Sequence, residues 1–425
     1  MNKKIHISKR TVFFLLVFLV IYCSHDTLLF GTNADNRFIA IRKAFPIALT
    51  CGMLLLYPKF HISKGGLWKF LLTLLLPFVS CIVNGEEMNN YIYRAFIMAA
   101  ALLMVRTEDQ KFYYQSYNKI LYFLSLWSIG SYLVMLVAPG ILARFPSVRN
   151  TSGATYYFAV FSTVNSSLHY GVFRNSSIFR EPGMLATMLT LAILNELLFE
   201  KKIRIRYMAA YSVAIVTTYS TAGYVILALL LGYYLLKENR TKYRVPLLFL
   251  IFSSILILAT QTDILSMDGI IFGKFNSGSS NYGSWAARLG SIATSMLIAL
   301  DNPLWGIGRY ALYDVVLSSY NTFYQSVYQV VDNTNTILIG FAAYGLFYGA
   351  LITWGCWRYV RKRENSILYA LYLFVILAMS LSNEDMGQNI AFYYIVFDGL
   401  CGSKPAQVSG QTQQTLREMP RNEEN

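Results

Sequence analysis

Apolar runs of roughly 15 to 20 residues recur along this chain, and each is close to the length of helix that crosses the hydrocarbon core of a bilayer. Nine such runs lie at 11–30, 44–57, 70–83, 91–105, 119–138, 183–199, 245–262, 334–355 and 366–381. Apolar residues make up 55% of the 425 residues, whereas charged residues make up only 14%. The sequence therefore excludes a water-soluble globular protein.

Two further stretches depart from the ordinary length of a span. Tyr207–Leu236 is too long for one crossing and is interrupted by the polar and glycine-containing residues 217–223, which predicts two short helices that meet near one surface. Ile390–Leu400 has about 11 residues and would rise only about 16 Å as a helix, so we expect it to slant or re-enter. These patterns predict an all-α polytopic integral membrane protein with about twelve transmembrane helices.

The distribution of Lys and Arg predicts the orientation, because short cytoplasmic loops carry an excess of both. With both termini in the cytoplasm, 25 of the 36 Lys and Arg residues lie on the inner side, and 11 lie outside or within spans. This split requires that Tyr207–Leu236 crosses twice, since basic clusters flank both of its ends. Nucleic-acid binding is not expected in spite of the net charge of +14, because the charges lie between apolar runs.

Two long segments, at about 139–182 and 263–333, contain no obvious span and fall on the outer side in this topology. Long loops of this kind are usually functional or disordered. Within the second, apolar residues spaced by three and four predict an amphipathic helix at 286–300 that lies at the membrane interface. Residues 1–400 are expected to form a single transmembrane domain, followed by a disordered cytoplasmic tail at 401–425.

Several charged and reactive residues have simple explanations. Three acidic residues near outer span ends are predicted to be interfacial charges, and one inside a span is predicted to extend toward the inner surface. The first three are Asp26, Glu86 and Glu87, and the fourth is Glu196. The five cysteines are odd in number and have no CxxC spacing, so neither a disulfide framework nor a metal site is predicted.

A charged cluster comes just before the sixth predicted span, where Arg174, Arg180 and Glu181 precede Pro182. Proline suits the first turn of a helix, where its missing donor is not needed. Glu181 has two explanations that the sequence leaves open. Its carboxylate stabilises the start of a helix through the helix dipole, or it works in a functional site together with the two arginines.

Short motifs follow this cluster in order. Arg-x-x-Ser-x-Phe-x-Glu-Pro at 174–182 is followed by Ser-Thr-Ala-Gly-Tyr at 220–224, by Arg288, by Asn-Pro-Leu-Trp-Gly-Ile-Gly at 302–308, and by Asn335-Thr-Ile-Leu with later glycines. In their order, spacing and common outer location, these motifs resemble the O-antigen polymerase (Wzy) family and related oligosaccharide repeat-unit polymerases. The resemblance covers about residues 170–350, and elsewhere it extends only to hydropathy.

The resemblance implies a GT-C-like glycosyltransferase, without a cofactor, in the cytoplasmic (inner) membrane of a bacterium. Such an enzyme transfers a growing glycan from undecaprenyl pyrophosphate to another lipid-linked repeat unit on the outer face of the membrane. The product would be the O-antigen of lipopolysaccharide or a capsule. The implied partners are the lipid-linked oligosaccharide and the lipid bilayer, with a chain-length regulator as a further candidate.

This reaction makes two chemical demands, because the leaving pyrophosphate must be stabilised and the attacking hydroxyl must lose its proton. Arginine meets the first demand, since its planar cation binds phosphate oxygens in pairs. The outer candidates, in order of preference, are Arg174, Arg288, Arg180 and Arg309. Neither an Asp-x-Asp pair nor a His/Asp cluster with metal spacing accompanies them, so the sequence favours a metal-independent site.

The base that takes the proton is expected among the acidic residues and the histidine of the outer side. Glu181 is the first choice. The alternatives are Asp332, His169, Glu384 and Asp385. Adjacent carboxylates raise each other's pKa when they are partly buried, although a solvated turn would explain the pair equally well. Asn335 and Tyr224 lie in the matching motifs and are added as substrate-binding candidates.

Two other functions are weighed against polymerisation. O-antigen ligases attach polymer to lipid A core and carry a His before the Asn of the last loop-and-span motif, whereas this chain reads Asp332-Asn333-Thr334-Asn335. That difference favours a polymerase. A flippase or transporter for lipid-linked sugar is expected to have matched halves and many mid-span charges, and this sequence has neither.

Overall fold

The computed structural model describes residues 8–33, 35–57, 62–107, 110–151, 153–165, 173–237, 282–312, 314 and 334–402, and most of them are helical. The helices are α1 (Lys9–Tyr22), α2 (Asn36–Leu56), α3 (Lys64–Val83), α4 (Met88–Thr107), α5 (Gln110–Val137), α6 (Pro139–Leu142), α7 (Pro182–Phe199), α8 (Ile205–Val216), α9 (Thr221–Lys237), α10 (Tyr282–Asp301), α11 (Thr336–Arg361), α12 (Ile367–Ser382) and α13 (Ile390–Cys401), with a π-helical turn at Leu28–Thr32.

Six of the described helices, α2, α3, α4, α5, α7 and α11, are long and apolar enough to cross a membrane. Large apolar side chains also lie on the outside of the bundle, where Leu55 is 82% exposed and Val137 is 84% exposed. Such a surface is favourable against lipid and unfavourable in water, as expected of a membrane protein. Five further apolar helices are shorter, so the twelve crossings stay a prediction. The predicted span at 245–262 lies outside the described residues.

Helices α7 and α13 occupy the interior of the bundle. Every residue of Ile390–Cys401 is buried, and α13 packs against α3, α4 and α11. Helix α7 is buried from Gly183 to Leu197 and packs against α5, α8 and α9. The sequence predicted a helix at each place, but mean apolarity does not separate a helix that faces lipid from one that faces other helices.

The predicted break in the long apolar stretch is present. Helix α8 ends at Val216 and α9 begins at Thr221, and Tyr219 between them has a φ of +51°. Arg174 donates hydrogen bonds from Nε to the carbonyl of Thr218 (2.9 Å) and from Nη2 to the carbonyl of Tyr219 (3.4 Å). Its guanidinium thus pairs with carbonyl groups that the end of a helix leaves unsatisfied.

A small antiparallel sheet lies within residues 139–182 and was not predicted. Its strands are β1 (Ser147–Arg149), β2 (Thr155–Phe158) and β3 (Thr163–Asn165), hydrogen-bonded in the order β1-β2-β3. Isolated bridges between Asn33 and Asn150, and between Thr27 and Phe179, join this region to the segment after α1. Strands of three or four residues are too short for an alternating pattern to be recognised in the sequence.

A second break lies inside α11, and the segment 302–308 packs against it. Gly345 has a φ of +83° there, and the carbonyl of Ala343 accepts a hydrogen bond from the N–H of Gly308 (3.0 Å). A Cβ atom at position 345 would overlap the carbonyl of Leu304. The close approach of these two backbones therefore requires glycine at this position.

Replacement of Gly345 by alanine is expected to lower the free energy of unfolding by about 3 kcal/mol, because the backbone conformation is unfavourable for L-residues and the added methyl group overlaps a carbonyl. Gly52→Ala is the matched control, since a Cβ at that helical position has nothing within 4 Å. Thermal unfolding of the full-length protein measures both variants. Equal melting temperatures would contradict this role of Gly345.

Candidate functional site

One end of the helix bundle, which we call the site end, gathers most of the residues that the sequence singled out. The described parts of its connecting segments are 23–33, 84–87, 138–151, 153–165, 173–181, 217–220, 302–312 and 383–389. The N–H of Arg180 donates a hydrogen bond to the carbonyl of Asp26 (2.9 Å), and the N–H of Arg309 donates one to the carboxylate of Glu86 (3.0 Å). Segments far apart in sequence are thereby fixed to one another.

Residues 383–389, which we call the acidic segment, connect α12 to α13 and are tied to two other helices. Asn383 donates a hydrogen bond to the carbonyl of Gly183 at the start of α7 (3.1 Å). The hydroxyl of Thr336, at the start of α11, donates one to the carbonyl of Glu384 (2.7 Å). The position of Glu384 is therefore set by the ends of several interior helices.

Glu384 is buried, with 2% of its surface exposed. Its Oε2 lies 3.4 Å from Nη2 of Arg180, and its Oε1 has no hydrogen-bond partner among the described residues. The side chain lies against Gly183, where a Cβ atom would overlap Oε1. Burial, together with the negative charge of Glu181, raises the pKa of Glu384 to about 8, although Arg180 and Arg288 oppose this shift.

Arg288 approaches the same carboxyl from α10, the helix that covers the predicted amphipathic stretch at 286–300. A Cβ atom at Gly183 would lie 3.6 Å from its Nη2. Its positive charge also lowers the pKa of Glu384, which places the guanidinium within electrostatic reach. Two arginines, Arg180 and Arg288, therefore flank one buried carboxyl.

The next residue, Asp385, lies in a different environment. It forms an ion pair with Arg309 and accepts a hydrogen bond from the N–H of Gly387 (2.8 Å). Burial alone would raise the pKa of Asp385, but Arg309 and this hydrogen bond hold it below its usual range. The adjacent carboxyls of the acidic segment thus differ, because the pKa of Glu384 is raised and that of Asp385 is lowered.

Glu86 caps a helical turn and is more than an interfacial charge. Its carboxylate accepts hydrogen bonds from the backbone N–H groups of Arg309 (3.0 Å), Tyr310 (2.8 Å) and Ala311 (3.2 Å), and from the hydroxyl of Tyr91. A carboxylate at this position pairs with N–H groups that have no partner within the helix. It thereby fixes the backbone from which the side chain of Arg309 extends.

Asp26 was also expected to be an interfacial charge, but it is only 1% exposed. The side-chain amide of Asn389 donates a hydrogen bond to its carboxylate. Sequence reasoning missed both residues as parts of the site. A signal for Asp26 was available, because a carboxylate inside an apolar run is costly unless a partner stabilises it.

Three of the predicted site residues have structural partners. The hydroxyl of Tyr224 donates a hydrogen bond to the carbonyl of Val216 (2.7 Å) across the helix break. Asn335 caps α11 by accepting the N–H of Leu338 (2.9 Å). Arg174 bonds to the carbonyls of the same break, as described above. These contacts explain the three residues without a substrate.

Glu181, the first choice for the base, is an exposed residue that immediately precedes α7. Within the described part of the chain its side chain makes no capping hydrogen bond. Its negative charge acts on Glu384 and on Tyr156 of β2. The other two candidates, His169 and Asp332, lie outside the described residues.

The site end thus combines a buried carboxyl of raised pKa with several fixed guanidiniums. Such a carboxyl exchanges its proton near neutral pH, and guanidiniums stabilise negative charge on phosphate or carboxylate groups. Together they suit the transfer of a group that is activated by phosphate. The chain matches no protein-family model, no curated protein and no solved structure.

Proposed function

We propose that the chain is a polysaccharide polymerase of the Wzy type, which transfers a growing glycan from undecaprenyl pyrophosphate to another lipid-linked repeat unit. The observation that supports this proposal is the buried Glu384 between Arg180 and Arg288, at one end of an apolar helix bundle. Arg180 and Arg288 belong to the ordered motifs that resemble this family. Glu384 supplies a proton-accepting group outside those motifs.

In the proposed step, the carboxylate of Glu384 takes the proton of the attacking sugar hydroxyl. The hydroxyl oxygen forms a bond to the anomeric carbon of the donor sugar, while the bond from that carbon to the pyrophosphate oxygen breaks. The pyrophosphate leaves with the electron pair of the broken bond. Arg288 and Arg180 stabilise its charge through paired hydrogen bonds, so the step requires no metal ion.

Glu384 is preferred to Glu181 as the base because its pKa is raised to about 8, which is close to the working pH. A base buried beside arginines also acts away from bulk water, where electrostatic effects are stronger. Arg309 already pairs with Asp385, so we assign these two residues to positioning the substrate.

The site end is proposed to face the outside of the bacterial cytoplasmic membrane, with both termini in the cytoplasm. The opposite end supports this orientation, because it carries the basic clusters that favour the cytoplasmic side. Those clusters include Lys201, Lys202, Lys237, Arg358 and Lys362. The bundle is proposed to be GT-C-like, to take the lipid-linked oligosaccharide from the bilayer and to work with a chain-length regulator.

A host strain without the protein is expected to lose long polysaccharide and to accumulate single lipid-linked repeat units on the outer face of the membrane. Mild acid release of the glycans, followed by size analysis of intact and lysed spheroplasts, measures length and sidedness. A strain that carries the intact chain on a plasmid is the control. Repeat units trapped inside would indicate a flippase, and long polymer retained on the carrier would indicate a ligase. Either result would refute the polymerase.

A further inference from the structure

A tyrosine-lined cavity of about 350 Å³ lies at the site end beside the ion pair of Arg309 and Asp385. Its lining consists of four tyrosines, two arginines and one carboxylate, together with Asn90 and Gln388; the first three groups are Tyr91, Tyr93, Tyr310 and Tyr344, Arg94 and Arg309, and Asp314. Tyr310 is 42% exposed, whereas Arg94 and Tyr344 are 6% and 1% exposed. The cavity therefore extends from the protein surface to buried polar groups, and its size is that of a small-molecule site.

Arg94 is the unusual member of this lining. Its guanidinium carbon lies 5.0 Å from the centroid of the Tyr344 ring, in a cation–π contact. Among the described residues it forms no ion pair within 4.0 Å and no hydrogen bond, although the carboxylate of Asp385 lies within its electrostatic reach. A buried cation is costly unless it is paired, and a cation–π contact offsets only part of that cost. Because Asp385 pairs directly with Arg309, the guanidinium of Arg94 is suited to a further anionic partner.

The hydroxyl of Tyr344 is a second group in this cavity that is suited to a ligand. It is buried and has no hydrogen-bond partner among the described residues. Neighbouring groups are already satisfied, because Tyr91 donates to Glu86 and Arg309 pairs with Asp385. A buried cation and a buried hydroxyl are thus both available to a ligand in this cavity.

We propose that this cavity binds an acidic sugar of the glycan, whose carboxylate pairs with Arg94 while its ring lies against the tyrosines. A guanidinium binds a carboxylate through two parallel hydrogen bonds. The C–H groups of a sugar ring carry a slight positive charge and suit the negative face of an aromatic ring. That the ligand is a sugar rests on the proposed function. The inference adds that the repeat unit contains a uronic acid or another carboxylate-bearing sugar.

The test compares a glucuronate-containing oligosaccharide with its carboxyl-reduced form, both bound to the full-length protein in lipid nanodiscs. Wild type is expected to bind the acidic form about tenfold more tightly, as one charge-assisted pair provides. Arg94→Gln is expected to bring the two affinities together, and Arg94→Lys to retain part of the difference. Arg144→Gln removes an exposed arginine at the same end and is the matched control, so it should bind as wild type does.

Tyr344→Phe provides a second, milder variant. It keeps the ring beneath Arg94 and removes only the hydroxyl, so both oligosaccharides should bind about threefold more weakly while their ratio stays unchanged. Thermal unfolding shows whether Arg94→Gln is folded. If Arg94→Gln does not fold, Arg94→Lys and Tyr344→Phe replace it in the test, because each of them retains the cation–π contact.

Equal affinity of wild type for the two oligosaccharides would overturn the proposal, as would a ratio that survives in folded Arg94→Gln. Competition by inorganic pyrophosphate that Arg94→Gln abolishes, without any preference for the acidic sugar, would assign the cavity to the leaving group. Binding is measured without glycan transfer, so the acidic-sugar subsite and the polymerase activity are tested independently. An inactive protein that prefers the acidic form would refute only the polymerase, whereas an active polymerase without that preference would refute only this subsite.

Discussion

Glu384→Gln is expected to reduce the rate of glycan polymerisation at least about 100-fold, because the amide keeps the size of the side chain but cannot take a proton. The rate is measured as polymer formed from lipid-linked repeat units in proteoliposomes that contain the full-length protein. Glu87→Gln is the matched control, since it neutralises an exposed carboxylate at the same end of the bundle and should retain the wild-type rate. Glu384→Gln with more than about a tenth of that rate would exclude Glu384 as the base.

The pH dependence gives a second readout for the same residue. Because the pKa of Glu384 is raised to about 8, the rate of the wild type should increase about tenfold between pH 7 and pH 9, as the carboxylate forms. Stability should change in the opposite direction. Folding favours the neutral carboxyl, so its stabilising contribution is complete below the ordinary value of 4.5 and is lost as the pH rises through about 8. Glu384→Gln should lack both changes.

Arg288→Ala is expected to lower the turnover number about 100-fold, because the developing charge on the pyrophosphate loses one donor that is already in place. Arg288→Lys should lose less, since the charge remains but the paired hydrogen bonds do not. Arg144→Ala, an exposed site at the same end, is the control and should leave turnover unchanged. Turnover and KM are measured separately in the proteoliposome assay.

A purely structural role of Arg288 is distinguished by the pH profile. The guanidinium lowers the pKa of Glu384, so its removal should move the rising part of the rate profile to higher pH. Arg288→Ala with a normal melting temperature, wild-type turnover and an unshifted profile would remove this residue from the proposed mechanism.

Much of the helical framework could be predicted, because two properties of the sequence indicate where helices begin and end. Apolar length predicts the helices, and polar residues within an apolar stretch predict the break between α8 and α9, where Tyr219 lies. The amphipathic spacing at 286–300 likewise corresponds to α10. The sheet of residues 147–165 could not be predicted in this way, because each strand is stabilised by its neighbours more than by its own pattern.

The candidate site was harder to predict, because its chemistry depends on burial. Glu384 and Asp385 are adjacent and chemically alike in the sequence, yet the pKa of the first is raised and the pKa of the second is lowered. The difference comes from partners distant in the chain, such as Arg309. Glu181 is prominent because it starts a helix, but it is exposed. No local pattern distinguishes these environments.

The hydrogen bond between Asp26 and Asn389 joins positions near the two ends of the described chain. During synthesis Asp26 is added first, and Arg180 and Arg288 are added before Glu384. A chain that stops after α12 therefore contains Arg180 and Arg288 without the carboxyl that lies between them. The segment that follows α12 supplies both that carboxyl and the hydrogen-bond partner of Asp26, so the proposed site is complete only once this segment is present.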